Sequence, residues 1–214
     1  MHNLPETLLI LILLADLGLL VSMNLRNGIR LAALQGVLFG LFLLSVSDGP
    51  PSLRLWLIAL AGMGIKGVVF PILLRRAIRE AGVPREIEPF VGPVPSALAG
   101  VLLLAVSLRL GAALTPALGA AQPLAVPASL MTLFTGLFLI VSRRKALTQA
   151  LGYIVLENGI AVFGAAGVAE VPALVELGIL LDAFVAVFVM GVAIHHINRE
   201  FDHIEADRLE SLKG

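Results

Sequence analysis

The sequence predicts an all-α, polytopic membrane protein of about seven transmembrane helices, and three observations predict it. The 214 residues are 58% hydrophobic and only 14% charged, with a mean hydropathy of +0.99. Ordinary soluble domains run at about 45–50% apolar and about 25% charged, so a water-soluble globule of this composition would leave large apolar patches exposed. The apolar residues also fall into stretches of about twenty, the length that crosses a ~30 Å hydrocarbon core at ~1.5 Å per residue. Finally, the stretches are separated by turn chemistry.

The expected spans are roughly 4–25, 28–47, 53–74, 94–115, 124–142, 147–168 and 173–197. Asn27-Gly28 separates the first two and Asp48-Gly49-Pro50-Pro51 the next. The proline-rich stretch from Pro84 to Pro95 forms the third loop, Pro116, Pro123 and Pro127 mark the fourth, and Pro172 opens the last helix. The first helix has no basic segment before it and no small-residue cleavage site after it, so it is expected to stay on the protein.

Basic residues set the expected orientation. Arg26, Arg30, Arg75, Arg76, Arg79, Arg85, Arg143, Arg144, Lys145, Arg199, Arg208 and Lys213 fall in the first, third and fifth loops and the tail. The other side has Arg54, with Arg109 expected to snorkel from a helix end. Twelve against two predicts an outside N-terminus and a cytoplasmic C-terminus. The tail from Asn198 to Gly214 reads as a short amphipathic helix that docks on a partner or lies at the membrane surface, and the loop from Arg75 to Pro95 is the other cytoplasmic surface large enough to touch a soluble partner.

Several functions are excluded. With no cysteine the chain holds no iron–sulfur cluster, disulfide or thiolate zinc site. Fifteen basic and fifteen acidic residues give no global field that would attract nucleic acid. His195 and His196 are neighbours at one helix end and cannot face each other around a haem. No nucleophile–base pair or phosphate-binding loop points to a catalytic centre, so no cofactor and no metal are expected.

Four ionisable residues lie inside spans: Asp16, Lys66, Glu157 and Asp182. Insertion scales put about 2.5–3.5 kcal/mol on a mid-span Asp or Lys, so such groups face partners, stay neutral or line a polar path. Burial and a nearby cation act oppositely on a carboxyl, and a group between those effects loads and releases protons near neutral pH. Glu157 lies in Gly152-Tyr153-Ile154-Val155-Leu156-Glu157-Asn158-Gly159. Tyr153 is one turn back on the same face, and the two glycines allow a neighbouring helix to come close. Asp182 follows Gly178 by one turn. For both acids a proton relay is preferred to interhelical glue. Lys66 sits among Gly62, Gly64, Gly67 and Pro71, and the missing proline N–H leaves a carbonyl free beside it. A hydrated, deformable segment and a lysine glued to another subunit's acid are equally good readings there. Asp16 reads as a structural pairing. His196, on the Asp182 face, stands as the mouth of a path or simply as a residue at the water interface. Gly36 and Gly40 form a GxxxG packing face without chemistry of its own. Gly36 precedes Lys66 by the same thirty residues that separate Gly152 from Asp182, a spacing that chance explains better than duplication.

Residues ~124–214 resemble the K subunit of respiratory complex I and the C subunit of multi-subunit cation/proton antiporters. The likeness runs through Arg143-Arg144-Lys145, the Leu151-to-Gly159 block, Asp182 and the closing Leu209-to-Gly214. Asp182 matches the second acid of that family in position, one methylene shorter. With a four-helix segment, 1–115, ahead of the K-like segment, 124–214, the whole chain resembles the E-type membrane subunit of group-four hydrogenases, the formate-hydrogenlyase-type, hydrogenase-4-like complexes. The resemblance implies a non-redox subunit in the cytoplasmic membrane of the cell. Its Glu157, Asp182, Lys66, Tyr153 and His196 would extend a proton or sodium path. Its partners would be antiporter-like and arm-anchoring membrane subunits and the hydrophilic hydrogenase arm, with the metal centres held elsewhere. A cation/proton antiporter subunit and a purely structural scaffold of the membrane arm are the alternatives.

Overall fold

The computed structural model describes residues 3–47, 49–81, 90–143 and 145–166. The expected seventh span, with Asp182 and His196, lies outside the described residues. Within them are α1 (Asn3–Val21), α2 (Leu25–Ser45), α3 (Leu53–Gly64), a π-helical turn (Ile65–Val69), α4 (Phe70–Ala81), α5 (Pro93–Leu118), α6 (Ala125–Ser142) and α7 (Ala146–Ala165). The α3, π-turn and α4 segments form one continuous rod, so the described chain holds six helices long and apolar enough to cross a membrane. It is a multi-pass membrane protein.

Local chemistry explains where the boundaries depart from expectation. The first break falls at Ser22–Asn24 rather than Asn27-Gly28, because the Asn24 side chain caps α2 by accepting from the Arg26 N–H. Gly28 is inside α2 instead, where a Cβ would lie 2.8 Å from Leu151. The third span continues past 74 to Ala81, since Phe70, Leu74, Ala77 and Ile78 bury one face while Arg75, Arg76 and Arg79 stay exposed. Pro116 sits in the last turn of α5, which ends at Gly119 in the left-handed conformation (φ 64°). Arg109 lies exposed well within α5, not at its end.

Four helices make the centre. Helix α1 packs on α2 and α6, and α7 packs on the same two; the α3–α4 rod flanks α2 and touches α7, and α5 flanks α1 and α6. The α6–α7 seam is the tightest, because Gly136 and Gly152 bring the two backbones into contact. The outward faces of α3 and α5 carry exposed Leu53, Leu57, Leu60, Leu98, Val101 and Leu102, as a lipid or subunit boundary requires.

The buried apolar residues form two clusters, one toward each membrane face. One gathers Leu19, Ile29, Ala32, Phe70, Leu74, Leu151, Ile154 and Val155; the other gathers Leu8, Leu9, Ile12, Leu38, Phe42, Ala128 and Val162. Asp16, Gln35, Thr132, Glu157 and Asn158 fall in the chain between members of the two clusters. The core is thus apolar, polar, apolar along the helix axes.

Candidate functional site: a buried polar belt

The belt is built from the middle turn of each central helix. From the π turn, Lys66 extends its Nζ to 2.5 Å from Glu157 Oε1 and 3.1 Å from Asn158 Oδ1, both on α7. The same ammonium stands 5.9 Å from the centroid of the Phe39 ring on α2, a cation–π contact. Lys66 and Glu157 are only 5% and 3% exposed, so the pair is desolvated. An ion pair in that setting needs further hydrogen bonds to offset the loss of water. Asn158 supplies one.

The belt continues sideways. Asn158 Nδ2 donates to Gln35 Oε1 at 3.4 Å, and Gln35 Nε2 donates to Asp16 Oδ1 at 2.8 Å. The other oxygen of Asp16, Oδ2, lies 2.8 Å from Thr132 Oγ1. Asp16, Gln35, Thr132 and Asn158 are fully buried. Helices α1, α2, α6, α7 and the π turn each contribute a member to one connected set.

Backbone features set the position of Lys66. Pro71 cannot donate an N–H, and the chain responds with the π turn, in which the Phe70 N–H reaches the Ile65 carbonyl. Gly36 is the complementary feature on α2: a Cβ there would lie 2.6 Å from Lys66 Cβ. The GxxxG face therefore does carry chemistry, because it admits the lysine stem between helices. Gly40 does the same for Met63. A narrow cleft between α2, α4 and α7 reaches Lys66, its remaining lining made of apolar residues that include Ile29, Ala33, Pro71, Leu74 and Leu151.

The structure thus brings Lys66 and Glu157 together within one chain, where the sequence left open a partner from another subunit. Tyr153 packs half-buried against the apolar cluster around Ile154 and Leu19. Asp16 makes the hydrogen bonds expected of a structural pairing, yet joins the same network as Lys66. Gln35 and Thr132 went unremarked in the sequence, and Asn158 stood in a motif without a role; mid-span amides were the available signal. Arg143, counted with a basic loop, is buried at the end of α6. Its guanidinium donates to the Leu20 carbonyl at 3.2 Å and points Nη1 at Met23 Sδ, 3.0 Å away.

No family model matches the chain. It is 33% identical over 208 residues to the uncharacterized protein Rv0085 of Mycobacterium tuberculosis, covering 94% of this chain and 92% of that one. It is also 32% identical over 159 residues to hydrogenase-4 component E of Escherichia coli K12, covering 70% of this chain and 69% of that one. The chain belongs to the hydrogenase-4 component E family. The component E of Shigella flexneri matches over the same shares of the two chains at the same identity. No solved structure matches. The buried belt is therefore a feature of a component E-type membrane protein.

Proposed function

We propose that this chain is a non-redox subunit of a complex-I-like, membrane-bound [NiFe] hydrogenase in the cell membrane, and that its polar belt is part of the path along which protons, or sodium ions, cross the membrane arm. The observation that carries the reading is the Lys66–Glu157 pair, an ammonium and a carboxylate in contact at mid-span with apolar packing above and below. A proton delivered to Glu157 removes the charge that holds Lys66. The ammonium then retains Asn158 and the Phe39 ring as partners, so positive charge moves laterally without leaving the belt. Protonation and a small displacement of charge are the elementary events of an intramembrane relay.

The glycine-flanked π turn supports such movement, since a π turn holds its hydrogen bonds in a register that one residue's shift converts to α. Tyr153, Asp182 and His196 are proposed to continue the path toward the cytoplasmic side. With the N-terminus outside, the basic start of α2, the basic end of α4 and the α6–α7 connection face the cytoplasm and the hydrophilic hydrogenase arm. The exposed apolar faces of α3 and α5 would meet lipid or neighbouring antiporter-like and arm-anchoring subunits. Nickel and iron would belong to the hydrophilic hydrogenase arm.

The test begins with affinity purification of the chain in mild detergent, with subunit identification and nickel and iron analysis. A hydrogenase large subunit with both metals is expected; antiporter-like subunits without metal would sink the reading in favour of a cation/proton antiporter. In the complexes that assemble with it, Glu157→Gln should leave hydrogenase turnover in place and lower ion transfer per turnover. Normal transfer in that variant would make the belt a scaffold.

A further inference from the structure

We infer that Asp16 is a second proton-holding carboxyl of the belt, joined to the Lys66–Glu157 pair through the aligned amides of Asn158 and Gln35 and able to carry its proton only on the oxygen that faces Thr132. The use of that proton rests on the function proposed above; the site itself does not.

The argument is one of donors and acceptors. Lys66 has no acceptor, so Asn158 must turn its carbonyl oxygen to the ammonium. Its amide nitrogen is then left for Gln35, whose carbonyl oxygen must face it. The Gln35 nitrogen is left in turn for Asp16 Oδ1. Every hydrogen bond in the chain therefore runs from the cation toward Asp16, and Oδ1 is committed as an acceptor. Amides pass on polarity but do not shuttle protons, so this is an electrostatic link and not a proton wire.

Any proton on Asp16 must sit on Oδ2, and there the structure offers two arrangements. Thr132 Oγ1 is 2.8 Å from Oδ2 and 2.9 Å from the Ala128 carbonyl, and it has one hydrogen to give. If that hydrogen goes to Ala128, Asp16 carries a proton and donates to Thr132. If it goes to Asp16, the carboxyl is ionised. Both contacts are short enough to be hydrogen bonds, so one hydroxyl rotation accommodates either state.

Charge counting gives the proton a reason to be there. Within this network two carboxyls share one ammonium, and the set is neutral when a single proton is held by either carboxyl. The other charged groups on the elements packed against α1 lie outside this hydrogen-bonded set. Helix α2 presents Gln35, and the charged Arg109 of α5 is exposed. Arg143, from the end of α6, binds the Leu20 carbonyl one turn beyond Asp16. The buried hydroxyls Thr135 and Ser142 lie on the same helix toward that end and make no hydrogen bond among the described residues, whereas Ser129 and Thr132 bond back to their own helix.

Isotope-edited infrared difference spectroscopy on the intact membrane complex, with aspartate labelled at the side-chain carboxyl carbon, reads the site directly across a pH series. Asp16→Asn preserves an acceptor for Gln35 and a donor for Thr132, so it mimics the protonated form in shape. The expected result is a protonated-carboxyl band that shifts with the label, is lost in Asp16→Asn, moves in frequency in Thr132→Val, and stays put in Thr135→Ala. Absence of any Asp16-dependent band while the complex stays assembled would overturn the inference. So would a band indifferent to Thr132→Val. Because the readout is spectroscopic, it succeeds or fails independently of whether Glu157→Gln alters ion transfer.

Discussion

The Lys66 ammonium rests 2.5 Å from the Glu157 carboxylate across ninety-one residues of chain, with both side chains buried. Removing one member of a buried pair leaves the other charge without compensation, at a cost of about 3–5 kcal/mol, whereas removing both is far milder. Lys66→Met alone should therefore lower the assembled amount and heat resistance of the chain by that margin. The double variant Lys66→Met, Glu157→Gln should recover much of it, because the new side-chain amide is neutral and can hydrogen-bond Asn158. Thermal aggregation of the purified complex measures both. A double variant no better than the single would show that the pair adds nothing to the fold.

The glycines divide into two groups with opposite expected effects. A Cβ at Gly136 would lie 2.5 Å from the Leu156 backbone nitrogen, and one at Gly152 would lie 2.9 Å from the Gly136 carbonyl oxygen. Backbone cannot step aside as a side-chain tip does, so Gly136→Ala should separate α6 from α7 at a cost of about 1–3 kcal/mol or more. Gly62 and Gly64 in α3 have nothing within 4 Å of such a Cβ. Alanine at Gly62 should be stabilising by about 0.5–1 kcal/mol, through helix propensity. Melting of the four single variants side by side decides it, and equal effects at Gly136 and Gly62 would contradict the seam.

The apolar spans were legible in the sequence because hydropathy and length act locally, and five of the six described spans lie within a few residues of their expected limits. Helix α4 was not, since its arginines read as loop while its buried face, Phe70, Leu74, Ala77 and Ile78, depends on contact with α2 and α7. The charges at Lys66 and Glu157 were visible for the same local reason: each is costly on its own. Their union was not visible, because pairing is a property of which helices touch. Gln35 and Thr132 escaped notice since a neutral polar residue in a span is a weak signal until its partner is known. Arg143 was read as a marker of membrane side although it is a structural contact to the α1 terminus.

Orientation offers a direct check because the chain contains no cysteine, so single cysteines report without background. The α1–α2 turn and the end of α4 must share one side of the membrane, and the α2–α3 and α5–α6 connections the other, since each described span crosses once. Basic residues crowd the first side. Arg26→Cys and Arg79→Cys, both at exposed positions, should react with an impermeant maleimide only in inside-out vesicles. Pro50→Cys and Ala121→Cys should react only in right-side-out vesicles or whole cells. The reverse pattern would invert the proposed placement of the hydrogenase arm.

Arg143 supplies the last expectation. The carbonyl of Leu20 belongs to the final turn of α1, where four carbonyls lack helical partners and the helix dipole is negative. A guanidinium donating there at 3.2 Å satisfies one of them and meets the dipole with a cation. Its own carbonyl accepts from Gln149 at 3.0 Å, which ties the α6–α7 connection to the same point. Replacing the side chain removes a charged hydrogen bond inside the protein, worth about 1.5–3 kcal/mol. Arg143→Met should thus lower the melting temperature of the complex measurably, while Arg30→Met, at an exposed position of α2, should leave it nearly unchanged. Arg143→Lys retains the charge but not the fork of donors, and should fall between them. Equal melting of the Arg143 and Arg30 variants would mean that the Leu20 contact contributes nothing, and that Arg143 serves only to hold the loop on its side of the membrane.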